Sequence, residues 1–382
     1  MFSGAITSLC AALALCTLAH ADTGRAPAEA EPRPTFTEQR VMLPIISAGI
    51  RVDLETTLFK PNGNGPFPVL IMNHGKSRGH PRLQERERFV AISREFVKRG
   101  YAVVIPMRSG FAHSGGEYVD DGCNLARNGQ SQANDVEGVI DYLHTQTWVD
   151  TNRLLVAGQS HGGLTTMALG SRNLAGVRGL INFAGGLRAD SGPCQWQAAL
   201  QQAFARYGAS SRVPSLWFYG ANDSYFPPAL AQSLRDAFVS AGGPAQLVAY
   251  GKFKLDAHAM VGSRDGVRIW WPETERFLRR LGMPVAEVVA LGPEPRLPRT
   301  AYAALDNVDA IPYLQQQGRE QYRVFLGKPL PRAFAVSSGG GWSWAEDGDD
   351  PIGRVLDSCR RASGQVCKLY AIDDDVVWTG KD

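Results

Sequence analysis

The amino-acid sequence predicts an α/β fold, with a mainly parallel sheet and helices on both of its faces, followed by a small α+β module. Between residues 40 and 281, short apolar runs alternate with helical segments, and this alternation is typical of βα units. Beyond residue 282, a proline-rich stretch leads into a shorter part with a different pattern. The length of 382 residues is also large for one domain.

Apolar runs bounded by turn residues are predicted to be strands. They cover residues 41–50, 51–59, 67–72, 101–106, 154–157, 177–183, 215–219 and 246–250. Helices are predicted where apolar residues recur every three or four positions, as Phe89, Ile92 and Phe96 do. The predicted helices cover residues 86–99, 134–143, 164–169, 195–207, 229–241 and 270–281.

The composition divides the chain into a large first domain at 37–282, a linker at 283–299 and a C-terminal module at 300–382. Four prolines mark the linker, at positions 284, 293, 295 and 298. In the module we predict strands at 332–337, 367–372 and 376–378 and a helix at 352–361.

The first residues predict an exported protein, periplasmic or secreted. Residues 1–21 carry no charged side chain, residues 9–18 form an apolar core, and Ala19-His20-Ala21 has the pattern that signal peptidase recognises. We predict a signal peptide at 1–21 and a disordered leader at 22–36 that is rich in Ala, Pro and Glu. The alternative is an uncleaved anchor helix, but the apolar core is shorter than the ~20 residues that a membrane span needs.

Charge and composition restrict the partners. The formal net charge is +3 and no block is rich in Lys or Arg, so nothing predicts a nucleic-acid partner. No stable membrane insertion is expected after signal cleavage, and the sequence carries no prediction of oligomeric state.

Four cysteines remain after signal removal, and an even number in an exported chain suggests two disulfides. We predict the pairs Cys123–Cys194 and Cys359–Cys367. The first pair lies on two loops expected above the carboxyl ends of the strands, and the second joins a helix to the next strand of the module. Because each bridge stays within one domain, the module is expected to fold separately, and its removal should leave the first domain functional.

The stretch Gly158-Gln159-Ser160-His161-Gly162 fits the Gly-x-Ser-x-Gly nucleophile elbow, and it has the expected strand before it and helix after it. Glycines are needed on both sides because the chain passes close to itself at such a tight turn. The turn exposes the Ser160 hydroxyl and leaves backbone N–H groups free at the start of the helix.

A serine nucleophile needs a general base and a carboxylate that orients the base, and in this type of sheet they follow in the order Ser, Asp or Glu, His. His258 lies on the loop after the strand that ends near Tyr250, in the required order. Asp223 directly follows the apolar strand at 215–219 and is the predicted carboxylate. Asp256 is the competing candidate, but it lies only two residues from His258.

The oxyanion hole is predicted to use the backbone N–H groups of His161 and Lys76. His74 is expected to brace the Lys76 loop, because it precedes the nucleophile and is in the wrong order for the base. Arg108 either binds a substrate anion or serves a structural role, and the sequence favours the structural role. Three aromatic residues, Trp196, Tyr225 and Phe226, either line an acyl pocket or belong to the core.

Four motifs resemble the dienelactone hydrolase-like group of α/β-hydrolases: 73–75, 158–163, 220–224 and 256–258. The resemblance implies the α/β-hydrolase fold over about residues 40 to 281 and a triad of Ser160, His258 and Asp223. Members proper use a cysteine nucleophile, so Ser160 points toward serine esterases.

We therefore expect a serine hydrolase that cleaves small carboxylic esters through an acyl-enzyme, with no metal or cofactor. An oligopeptidase-type serine peptidase and a catalytically silent binding protein are the alternatives.

Overall fold

The computed structural model describes Met1 and residues 36–189, 193–292, 297–328, 330–346 and 351–380. From Phe36 onward they belong to one compact unit. The predicted signal peptide and leader lie outside the described residues, apart from Met1 and Phe36. Across the part of the chain that the structure describes, no helix is both long enough and apolar enough to cross a bilayer.

An eight-stranded sheet forms the centre of the first domain, in the order β1-β2-β4-β3-β5-β6-β7-β8. The strands β1 and β2 are antiparallel to their neighbours, and the rest of the sheet is parallel. The strands are β1 (Glu38–Ser47), β2 (Ile50–Phe59), β3 (Phe67–Asn73), β4 (Ala102–Pro106), β5 (Val149–Gln159), β6 (Val177–Phe183), β7 (Ser215–Gly220) and β8 (Ala245–Tyr250).

Helices cover both faces of this sheet because side chains alternate along each buried strand. On β3, Val69 and Ile71 pack on one face, whereas Leu70 and Met72 pack on the other. The first face is covered by α2 (Leu125–His144), α3 (His161–Gly170), α4 (Trp196–Ser210) and α5 (Pro228–Ser240). The second is covered by α1 (Val90–Lys98) and α6 (Val267–Arg280). The predicted α/β fold is thus confirmed.

The C-terminal part has its own antiparallel sheet, in the order β10-β9-β11-β12, which confirms the predicted small α+β module. Its elements are α7 (Gln316–Leu326), β9 (Arg332–Ser337), β10 (Trp342–Glu346), α8 (Pro351–Ser363), β11 (Cys367–Ile372) and β12 (Asp375–Val376). On one face Tyr322 and Phe325 of α7 cover Phe334, and on the other α8 covers the small side chains Ala333 and Ala335.

The start of the predicted linker packs against α1 and the strand that follows it. The hydroxyl of Tyr101 donates to the carbonyl of Pro284 at 2.8 Å, and the N–H of Val288 donates to the carbonyl of Lys98 at 2.8 Å. Residues 293–296, which hold two of the prolines, lie outside the described part.

Some predicted elements have different bounds. The α2 helix begins at Leu125 rather than at 134, and α1 begins at Val90 rather than at 86. Phe89 adopts a left-handed conformation with φ of 43°, which stops the helix from extending backwards. The sequence interpretation missed α7 and β10.

Candidate active site

Ser160 lies at the sharp turn between β5 and α3. Its backbone has φ of 57° and ψ of −122°, a strained conformation for a residue with a side chain. A Cβ built on Gly158 would lie 2.1 Å from the carbonyl oxygen of Gly162, and one built on Gly162 would lie 2.1 Å from that of Asn73. The turn therefore requires both glycines and presents the serine at the carboxyl end of the central strand.

His258 and Asp223 meet beside this turn. The Nδ1 atom of His258 lies 3.1 Å from Oδ2 of Asp223, whose side chain is fully buried. The other carboxylate oxygen, Oδ1, accepts the backbone N–H groups of Tyr225 and Phe226 at 2.8 and 2.9 Å. The carboxylate is thus held from behind and directs one oxygen at the imidazole.

The Ser160 turn and the His258 loop are joined through Gln159, whose side-chain amide donates to the carbonyl of His258 at 3.1 Å. Among the described residues, no hydrogen bond joins Ser160 Oγ to His258 Nε2. Such catalytic hydrogen bonds are often long in unliganded enzymes and form when substrate binds.

Asp256 faces away from the imidazole ring. Its carboxylate accepts the backbone N–H groups of His258 at 2.9 Å and Ser224 at 3.1 Å, and the Ser224 hydroxyl at 2.5 Å. Partial burial acts to raise the pKa of Asp256, but these hydrogen bonds outweigh it and leave the pKa below its ordinary value. Asp256 therefore fastens the His258 loop to the Asp223 loop.

The loop after β3 lies against Ser160. A Cβ built on Gly75 would lie 3.3 Å from Ser160 Cβ, so a larger residue would crowd the serine. His161 is the first residue of α3, where backbone N–H groups lack a partner within the helix. In the described part of the chain, neither the Lys76 N–H nor the His161 N–H donates a hydrogen bond.

His74 and Gln84 brace this loop. The buried ring of His74 lies 2.6 Å through Nδ1 from the carbonyl of Gly75 and accepts the Arg108 N–H at 3.0 Å through Nε2. The Gln84 amide donates to the Gly75 carbonyl at 3.2 Å and accepts the Ser77 N–H at 2.9 Å. Burial, and then the charge of Arg108, holds the pKa of His74 well below its usual range, so the ring is neutral.

His161 is buried behind the turn between two polar partners. Its Nδ1 faces Nη2 of Arg108 at 3.1 Å and its Nε2 faces Oδ1 of Asn128 at 2.7 Å. Burial lowers the pKa of His161 well below its usual range, and the charges of Arg108 and Lys76 lower it further. Arg108 also donates to Gln132 at 3.0 Å, and burial lowers its pKa to about 10, so it remains charged at neutral pH.

The three aromatic candidates form a wall beside His258. The ring centroids of Tyr225 and Phe226 lie 4.5 and 5.6 Å from that of His258. Trp196 follows at 6.3 Å from Phe226. Phe226 belongs to the buried core and Tyr225 and Trp196 pack against it, so the wall joins the core to the imidazole.

The structure forms both predicted disulfides, Cys123–Cys194 and Cys359–Cys367. Cys123 lies just before α2 and Cys194 just before α4.

Among the described residues, no three His, Cys, Asp or Glu side chains cluster as metal ligands. The roles of Gln84 and Gln159 were not predicted from the sequence. The only signal in the sequence was their position, since Gln159 lies inside the elbow motif and Gln84 follows the loop at 73–77.

The family model of X-Pro dipeptidyl-peptidases (S15 family) matches residues 49–187. No curated protein matches the sequence significantly.

Solved structures are similar to this chain at low sequence identity. The Pyrococcus horikoshii acylaminoacyl peptidase is 18% identical with a TM-score of 0.50, and the match covers 65% of this chain and 43% of that one. A Klebsiella pneumoniae subsp. pneumoniae protein provisionally named a dienelactone hydrolase is 19% identical with a TM-score of 0.46, covering 64% of this chain and 98% of that one. A Pyrococcus furiosus esterase is 15% identical with a TM-score of 0.48, covering 65% and 98%.

This chain thus spans less than half the length of the acylaminoacyl peptidase that it matches. Three findings indicate the same fold: the order of the strands, the elbow at the end of β5 and the structural similarity at a TM-score of 0.50. The chain has the α/β-hydrolase fold.

Proposed function

We propose that this protein is a serine hydrolase that cleaves carboxylic esters through an acyl-enzyme on Ser160. One observation carries the proposal: the strained elbow of Ser160 is joined through Gln159 to the loop of an imidazole, and a buried carboxylate lies 3.1 Å from that imidazole. A serine hydroxyl is a weak nucleophile unless a positioned base removes its proton, and this arrangement supplies one.

In the proposed mechanism, Ser160 Oγ attacks the ester carbonyl carbon while His258 Nε2 takes the hydroxyl proton. Asp223 keeps the other ring proton on Nδ1 and stabilises the imidazolium. The N–H groups of His161 and Lys76 donate to the oxyanion. The intermediate collapses as His258 returns the proton to the leaving alcohol. Water then attacks the acyl-enzyme by the same route and releases the acid and free Ser160.

The other buried histidines near the site do not compete as the base. His74 and His161 both have pKa values well below the usual range, chiefly because of burial, and both rings face protein partners. In the proposed mechanism the base is instead His258, which accepts the proton through Nε2. A His258→Ala variant with retained activity would contradict this assignment.

Nitrophenyl esters of increasing acyl chain length test the proposal and define the acyl preference. Turnover and stoichiometric labelling of Ser160 by a serine-directed phosphonate are the expected results. Failure of the phosphonate to label the protein would favour a catalytically silent binding protein instead.

A serine peptidase of the oligopeptidase type is the second candidate, because the X-Pro dipeptidyl-peptidase model matches residues 49–187, which include Ser160. The same triad can cleave amides as well as esters. Greater activity on short peptidyl amides than on acyl esters would favour this candidate. No β-propeller is formed by the described residues, which have only the two sheets given above.

We also propose that the protein is exported. The two disulfides support this, because such bonds persist mainly in oxidising compartments. Sequencing the N-terminus of the exported protein tests the predicted cleavage after Ala21, and a mature chain that begins at Met1 would contradict it.

A further inference from the structure

The C-terminal module contacts two loops of the hydrolase domain through polar groups. On α8, Nη1 of Arg361 lies 2.6 Å from Oε1 of Glu85. Near the start of β9, the carbonyl of Leu330 accepts a hydrogen bond from Nζ of Lys254 at 2.5 Å. One contact therefore reaches the loop after β3, and the other reaches the loop that carries His258.

The first contact leads to residues 74–77, the loop that carries Lys76 and is named the oxyanion loop below. Glu85 is the neighbour of Gln84, whose amide holds the Gly75 carbonyl and the Ser77 N–H. Those two groups flank Lys76, whose N–H is the proposed oxyanion donor. A displacement of Glu85 would therefore be passed through Gln84 to the two groups that flank the donor.

The second contact leads to the base and its carboxylate. Besides the Leu330 carbonyl, Nζ of Lys254 contacts the Ser263 hydroxyl at 2.9 Å and Oδ2 of Asp265 at 3.4 Å. The backbone carbonyl of Lys254 accepts the side-chain amide of Asn222 at 3.2 Å. Lys254 thus lies between the residue that precedes Asp223 and the turn that follows His258.

The Arg361–Glu85 ion pair adds little to the stability of the fold. Among the described residues, the apolar clusters of the two sheets share no member. The side chains of Arg361 and Glu85 are 61% and 43% exposed, and exposed ion pairs contribute little to stability. An ion pair that adds little to stability, yet includes the immediate neighbour of Gln84, is better placed to affect catalysis than folding.

We propose that the C-terminal module is a positioning element of the hydrolase site, in which Arg361 holds the oxyanion loop through Glu85 and Gln84 while Leu330 holds the His258 loop through Lys254. This inference rests on the proposed function of Ser160 as an ester-cleaving nucleophile. It differs from the expectation from sequence that removal of the module leaves the first domain functional.

Charge reversal in the full-length protein tests the ion pair. Glu85→Arg and Arg361→Glu should each lower kcat about three- to ten-fold with little change in KM, because oxyanion donors act mainly in the transition state. The rate at which a phosphonate labels Ser160 should fall in parallel. The double variant, which restores opposite charges, should recover to within about two-fold of the wild type.

The matched control is Glu275→Arg with Arg279→Glu, an exposed pair on α6 at 2.5 Å that contacts neither loop. It should leave kcat and labelling unchanged. Single variants at 85 and 361 with wild-type kcat would overturn the proposal, and so would a double variant that does not recover. Lower melting temperatures with unchanged kcat would show a merely structural role and would also overturn it.

The second contact is tested by Lys254→Met, which removes the ammonium group that Leu330 holds. Its control is Asp265→Asn, which leaves that ammonium in place. We expect Lys254→Met to lower kcat and the control to retain it; equal effects would overturn this half of the proposal. If the wild type neither hydrolyses esters nor reacts with the phosphonate, the proposed function itself fails, which is distinct from both outcomes.

Discussion

Replacing Asp223 with Asn should nearly abolish turnover while leaving the fold intact. The Oδ1 position accepts two backbone N–H groups, from Tyr225 and Phe226, so the oxygen of the asparagine must occupy it. The amide NH₂ then faces Nδ1 of His258, which has to become an acceptor. Nε2 consequently carries the ring hydrogen and cannot take the Ser160 proton.

The expected loss in kcat is about four orders of magnitude, which corresponds to about 5.4 kcal/mol of transition-state stabilisation. Asp256→Asn is the matched control, because Asp256 lies two residues from His258 and, like Asp223, accepts two backbone N–H groups. Its asparagine oxygen can keep both of them, and only the bond to the Ser224 hydroxyl changes. A hydrogen bond of about 1 kcal/mol corresponds to about a five-fold effect.

The assay is steady-state hydrolysis of a nitrophenyl ester, with thermal unfolding of each variant measured alongside. Both variants should unfold near the wild-type temperature, so that the loss of activity reports on chemistry. A larger loss for Asp256→Asn than for Asp223→Asn would refute the reasoning and make Asp256 the catalytic carboxylate.

Three further predictions follow from the geometry. Ser160→Ala should lower kcat by about a million-fold, and ester hydrolysis near the wild-type rate would refute its role as nucleophile. Cys123→Ser combined with Cys194→Ser opens a bridge with a sequence separation of 71 and should cost about 4 kcal/mol of unfolding free energy in urea titrations. Burial raises the pKa of Glu87 from 4.5 to about 7, against the charge of Arg354, so its stabilising contribution is full below pH 4.5 and is lost as the pH rises through about 7. Glu87→Gln should therefore reduce the fall in melting temperature between about pH 5 and about pH 8; an unchanged fall would contradict the burial argument.

The inner strands β3, β4 and β7 of the central sheet could be predicted because each is an apolar run that is buried on both faces. The strand at 177–183 has the predicted bounds, as do those at 332–337 and 367–372. The start of α2 could not be predicted, because Asn128 and Gly129 have low helix propensity and the buried polar Gln132 breaks the apolar periodicity. Tertiary contacts explain their places: Asn128 holds His161, Gln132 holds Arg108, and a Cβ on Gly129 would lie 2.3 Å from the Tyr207 hydroxyl.

Some residues of the candidate site could be predicted from the sequence, and others could not. The order Ser, Asp, His and the glycine spacing were enough to select Ser160, Asp223 and His258, which the structure brings to one edge of the sheet. The role of Asp256 could not be predicted, because its partner Ser224 lies 32 residues away in the chain and the contact depends on how two loops fold. The ion pair between Arg361 and Glu85 likewise could not be predicted from periodicity or spacing.

The left-handed backbone conformation of Ser160 lowers the stability of the fold at the residue to which the proposed function assigns the chemistry. A non-glycine residue in such a conformation costs about 1–3 kcal/mol, which the rest of the fold must outweigh. Glycine adopts φ of 57° without that cost, so Ser160→Gly should yield a more stable and inactive protein. If the proposed function holds, the cost of this conformation is the part of the folding free energy that is given up to present the hydroxyl.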